Sequence, residues 1–145
     1  MAKRILVPVD GSEWSEEALT FAAEEWPDAE LTLLHVINPA ESTTGAEGGF
    51  PGAVEQWYEA ARERGKNLLS GAADRVDRDV ETRMEVGRPA PTILSVAAGE
   101  QEDGDEPFDH VVLGSQGRTG LSRMVLGSVA ESVVRKSDVP VTVVR

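Results

Sequence analysis

A chain of 145 residues, 40% apolar and 28% charged, is long enough to bury one real core and too balanced in composition to be disordered. Its formal net charge of −12 opposes general binding to DNA, RNA or anionic membranes, because the long-range field repels polyanions. The absence of cysteine removes disulfides and thiolate metal or redox sites, and no apolar run approaches the ~20 residues of a membrane span.

Apolar runs alternate with segments of helical period, and that order carries the fold. Residues 4–9 read as a first strand. The run is too short for the apolar stretch of a signal peptide, and Pro8-Val9-Asp10 ends it without a small-residue cleavage site, so the expected location is the cytoplasm. Ser12 is placed to cap a helix whose first turn holds Glu13, Glu16 and Glu17. Leu19, Ala22, Ala23 and Trp26 then form its core-facing stripe. The unbroken run Leu31 to Ile37 suits a second strand, at about 30–37, covered on both faces.

Residues 38–52, rich in Gly, Pro, Ser and Thr, read as a long loop. A second helix is predicted over about 53–75, with Val54, Trp57, Tyr58, Ala61, Leu68, Leu69, Ala72 and Val76 at helical spacing. Val80, Thr82, Met84 and Val86 alternate with Glu81, Arg83 and Glu85, as in a half-exposed edge strand. Pro89-Ala90-Pro91 opens a third helix that Gly99 closes. Residues 100–107 read as a solvated acidic connector, 108–113 as a fourth strand, 128–136 as a helix and Val139 to Val144 as a fifth strand. Trp26 and Trp57 are expected in the core. The chain therefore reads as one domain over 1–145: a five-stranded parallel, doubly wound sheet with right-handed crossovers.

The stretch between the fourth strand and the last helix carries the chemistry. A helix N-terminus presents unpaired N–H groups and partial positive charge, which favour phosphate. Gly114, Gly117 and Gly127 let the backbone come close to phosphate oxygens, and Ser128 reads as the N-cap. Residues 110–130 contain no acid in this acidic chain, yet they include Arg118 and Arg123. A strand–loop–helix crossing needs glycines in any case, so this pattern by itself leaves phosphate binding and plain chain turning both open.

The spacing Gly114-x2-Gly117-x9-Gly127-Ser128 resembles the ATP-binding pattern of the universal stress protein family. Residues 5–12, 33–36, 109–115, 127–131 and 139–144 are similar to other landmarks of that family, in the same order. The resemblance implies strand order 3-2-1-4-5 and a ligand crevice flanked by Asp10 and Gly114. It implies ATP as ligand, with Pro8, Val9, Asp10 and Val36 toward the adenine and ribose. Gly114 would lie by the ribose, and Gly117, Arg118, Gly127, Ser128 and Val129 around the phosphates. Magnesium or manganese would bridge phosphate oxygens. It also implies a homodimer through the edge strand Val139 to Val144, and a stress-linked role with slow or no hydrolysis.

No other residue competes strongly. Asp10 stands without a second acid or His nearby in sequence, so ligand orientation or a turn outweighs catalysis. His35 and His110 read as packed residues. Trp14 reads as a first-turn residue outside the crevice, and Ser122 and Ser128 have no neighbouring base that would make them phosphoacceptors. An adenylate-forming enzyme would carry a different loop after the first strand, and a receiver domain would carry an acid pair there. A nucleotide-free interaction module remains the alternative. With 11 Arg against 3 Lys, the acid-rich surface resembles that of proteins from salt-loving organisms.

Overall fold

The computed structural model describes residues 2–44, 51–116 and 126–145. The elements follow in the order β1 (Arg4–Pro8), α1 (Glu13–Glu25), β2 (Glu30–Ile37), a 3-10 helix (Pro39–Thr44), α2 (Ala53–Asp74), β3 (Glu81–Val86), α3 (Pro89–Ala97), β4 (His110–Gly114), α4 (Ser128–Lys136) and β5 (Val141–Val144). The strands form one parallel sheet of order β3-β2-β1-β4-β5, as the alternation and the resemblance led us to expect. β1 lies at the centre, and the chain changes direction across the sheet between β1 and β4.

Two apolar layers hold the helices to the sheet. Ile5, Val7, Leu31, Leu33 and Val112 meet Ala18, Leu19, Ala22 and Leu69 on the α1–α2 face. Leu6, Leu34, Val111 and Leu113 meet Ile93, Val96, Ala130 and Val133 on the α3–α4 face. β2 contributes to both layers, which is why its sequence is a continuous apolar run.

Two of the predicted caps, Ser12 and Gly99, are realised locally. Ser12 accepts the Ser15 amide at the start of α1. α3 ends in a Schellman turn, with Gly99 N–H on the Val96 carbonyl and Glu100 N–H on that of Ser95. Gly99 sits there at φ +74°, a backbone that side chains resist. α1 has no basic residue in its last turn; Arg78, from the turn before β3, donates to the carbonyls of Ala23, Trp26 and Ala29 instead.

Five sequence expectations need correction. Residues 38–52 are not all loop: Asn38 Oδ1 accepts the Ala40 amide, and the Asn38 carbonyl that of Glu41, which winds 39–44 into 3-10 helix. Thr82 and Val86 of β3 are exposed, while Arg83 and Glu85 are half-buried, because Arg83 bonds both Glu85 (2.7 Å) and Asp105 (3.1 Å). The connector 100–107 is therefore pinned to β3 rather than solvated throughout. Asp105 also accepts the Glu102 amide, and Gln101 bonds Glu85.

The fourth correction concerns Trp57, which is half-buried and outside both core layers. α2 is 22 residues long, about 33 Å, whereas β2 spans about 26 Å, so the start of α2 overhangs the sheet and leaves Val54 exposed. Trp26, at the end of α1, is also half-buried and lies against His110 and Phe21. Lastly, the N-cap of α4 is Gly127, with Ser128 as the first helical residue.

Candidate functional site

A cavity of about 300 Å3 opens along the C-terminal ends of β2, β1 and β4. This is the topological switch point, where open α/β sheets bind ligands, and the volume is at the small end of ligand pockets. Pro8, Val9, Asp10, Val36, Gly114, Gly127, Ser128 and Val129 all line it. Sequence reasoning proposed each of these residues; Gly117 and Arg118, proposed with them, lie outside the described residues, as do Ser122 and Arg123.

At the centre of the cavity, Asp10 is oriented by the cap of α1. Its Oδ1 accepts both the Ser12 amide (3.0 Å) and the Ser12 hydroxyl (2.6 Å), and its own amide reaches Ser15 Oγ. The carboxylate is thus held in an Asx turn that also sets the start of a helix. Next to it, the main chain of Val9 is fully engaged. Its amide donates to the Leu34 carbonyl (2.8 Å), and its carbonyl accepts from His35 Nδ1 (3.0 Å). Val9 therefore offers the cavity apolar surface alone. Since a carbonyl can only accept, His35 donates to it from Nδ1.

The end of the cavity beside β4 has the opposite character. α4 begins there, no side chain caps it, and the amides of Ser128, Val129 and Ala130 have no acceptor among the described residues. Such donors, with the helix dipole, are the groups an anion site would use. The Gly127 amide is not part of it, because it donates to the Ser115 carbonyl at 2.7 Å. Gly114 and Gly127, the two glycines of the pattern among the described residues, are constrained by packing. A Cβ on Gly114 would stand 2.6 Å from the Trp14 main chain, and one on Gly127 would stand 3.2 Å from the Ser115 carbonyl oxygen. Trp14 is buried and does not line the cavity.

Sequence reasoning missed Asn38, just before the 3-10 helix, Glu41 on it, Pro89 and Ile93 of α3, and Gln116. The dipeptide Asn38-Pro39 was the available signal for an ordered turn beside the second strand. His110, expected to be a packed residue, bonds Thr142 Oγ1 at 2.7 Å and lies against Trp26, far from a ligand role. No group of three His, Asp or Glu side chains converges among the described residues.

Fold and cavity together define an open parallel α/β protein with a ligand crevice at the reversal of its strand order. The sequence profile of the universal stress protein family matches residues 1–145, and the chain belongs to that family. It is 34% identical over 154 residues to universal stress protein YxiE of Bacillus subtilis, covering the whole of both chains. It is 33% identical over 162 residues to universal stress protein MJ0577 of Methanocaldococcus jannaschii, covering all of this chain and 96% of that one. The solved structure of MJ0577 superimposes with a TM-score of 0.79 at 32% identity, over 99% of this chain and 96% of its own. A more distant universal stress protein, solved in complex with cAMP, shares the fold at 23% identity and a TM-score of 0.62, over 99% and 97% of the two chains.

Proposed function

We propose that this universal stress protein binds ATP in the switch-point cavity, as a cytoplasmic binder in stress response or signalling, with slow or no hydrolysis. The observation that carries the reading is the uncapped start of α4 opening into a cavity whose opposite wall is apolar strand end. The triphosphate would lie on the amides of Ser128, Val129 and Ala130, with Gly117 and Arg118 as further candidates. The ribose would meet Asp10 and Gly114, and the base would rest against Pro8, Val9 and Val36. Gly127 would act by letting the chain pass close, since its amide is engaged.

A magnesium or manganese ion fits this site through the nucleotide. The donors at hand are carboxylate and hydroxyl oxygens, which suit hard cations, but among the described residues too few converge to form a protein cage. The ion would take its oxygens chiefly from the phosphates and relieve their repulsion by the acidic surface. Hydrolysis needs a base at the attacking water. Among the described residues, the carboxylates that line the cavity, Asp10 and Glu41, stand on the β1 and β2 sides rather than beside α4, which favours binding over turnover.

The test is to denature freshly purified protein and identify the released nucleotide by mass, followed by calorimetric titration with ATP and magnesium. Absence of both bound nucleotide and measurable affinity would leave the alternative, a nucleotide-free interaction module.

The same reading includes a homodimer through β5. Val111 N–H bonds the Pro140 carbonyl and Ser115 N–H that of Val144. By strand alternation, Val141 and Val143 turn their amides and carbonyls to the open edge, an invitation to a second strand. Light scattering should give twice the chain mass, and Val143→Pro, which removes one outward donor, should give the monomer. A monomeric wild-type protein in molar salt refutes the dimer.

A further inference from the structure

We propose that His35 is a positioning residue. By drawing the Val9 carbonyl out of the sheet, it leaves the main-chain N–H and C=O of Val36 free to meet a ligand in the cavity. The ligand group they suit is a ring with an acceptor beside a donor, as adenine has in N1 and its 6-amino group. The proposal rests on the nucleotide reading for that ring and adds the residue that prepares its place.

The register of β1 against β2 carries the argument. The Gly87 amide bonds the Ile37 carbonyl, and the Val9 amide bonds that of Leu34. By alternation, His35 and Ile37 turn their main chain to β3, and Leu34 and Val36 turn theirs to β1. In a parallel ladder the next bond would run from the Val36 amide to the Val9 carbonyl. It is not made. The pairing ends at Pro8 with Leu34, and the Val9 carbonyl accepts from His35 Nδ1 at 3.0 Å instead. Among the described residues, neither main-chain group on the β1 side of Val36 has a main-chain partner, and Val36 lines the cavity.

The imidazole has a built seat. A Cβ on Gly65 of α2 would come within 2.9 Å of His35 Cδ2, so the ring is wedged between the end of β1 and that helix. Gly65 falls inside α2, where glycine weakens a helix, and the ring accounts for its presence there. Without the imidazole donor, the Val9 carbonyl would have the Val36 amide as its nearest ladder partner, since main-chain groups that leave water find one another. The edge offered to a ligand would then close.

The test has a ligand-free arm and a ligand arm, both on the full-length protein. In NMR hydrogen exchange, the Val36 amide of the wild type should exchange at least about tenfold faster than that of Leu34, and His35→Leu should slow it toward the Leu34 rate. His35→Asn, whose amide nitrogen can still donate to the Val9 carbonyl, should keep it fast. In competition titrations the wild type should prefer ATP about fivefold over purine riboside 5′-triphosphate, which lacks the 6-amino group, as expected for one neutral hydrogen bond. His35→Leu should erase that preference and His35→Asn should restore it, with thermal melting to check that each variant is folded. A Val36 amide already protected in the ligand-free wild type, or a preference that His35→Leu does not move, overturns the positioning role while the nucleotide reading stands. Fast Val36 exchange in a folded wild type that binds neither triphosphate overturns the nucleotide reading, and the assignment of the ring with it.

Discussion

Gly114, the last residue of β4, lies so close to α1 that a methyl group in place of its hydrogen would meet the Trp14 carbonyl carbon at 2.6 Å. The first glycine of the family pattern is thus required by helix-to-sheet packing, whatever it does for a ligand. Trp14 is main-chain contact here, so the strain cannot be relieved by turning a side chain. Gly114→Ala is expected to destabilise the protein by about 1–3 kcal/mol, the usual cost of overpacking. Urea unfolding measures this, and a midpoint equal to wild type would show that α1 can retreat freely.

The amides of α4 can be tested one at a time. Gly127, with φ −65° and ψ 159°, already has the extended backbone that a following proline demands. Ser128→Pro should therefore preserve the helix, since proline is at home in its first position, while deleting one N–H. ATP affinity should fall about tenfold, the worth of a hydrogen bond to a charged group at its lower end. Ser128→Ala, which loses the hydroxyl and keeps the amide, should bind more tightly than the proline variant. Equal affinity in the two would remove the amide from the site.

Acid should weaken the fold before the carboxylates begin to titrate. Burial against Trp26 and β5, and next the charge of Lys3, hold His110 below the ordinary histidine value of 6.5. The unfolded chain then takes up a proton that the folded chain resists. Stability from this group is complete above about pH 6.5 and is lost as the pH falls toward the lowered value. Urea midpoints between pH 7.5 and 5 should decline, and His110→Gln should flatten the decline. A slope unchanged by the substitution would assign it to other groups.

Salt should act the other way. With a net charge of −12 the folded chain repels itself, and counterions screen that repulsion. The melting temperature is expected to rise from low to molar potassium chloride, as for the acid-rich surfaces of salt-loving organisms that this one resembles. A flat profile would count against it.

Much of this molecule is legible in its sequence, for reasons that differ by element. β2 announced its two-sided burial through an unbroken apolar run, and Ser12 and Gly99 marked helix ends through their own chemistry. β3 misled because alternation reports which side chains are apolar and not which are buried. Arg83 and Glu85 go inward, relative to Thr82 and Val86, by neutralising each other and Asp105, a partner some twenty residues away that no local pattern reveals. The start of α4 shifted by one residue because Gly127, tied by its amide to Ser115, already has cap geometry. Glu41 went unseen since its place in the cavity depends on a turn set by Asn38, within a segment whose composition reads simply as loop.

The two margins of the sheet are finished differently. Along β3, the Arg83–Asp105 link draws an acidic segment over the outer strand, whereas β5 ends the sheet in Val141, Thr142, Val143 and Val144. Should the proposed pairing through β5 form, that receptive margin would be used up in the pair, and growth by further strand addition there would stop.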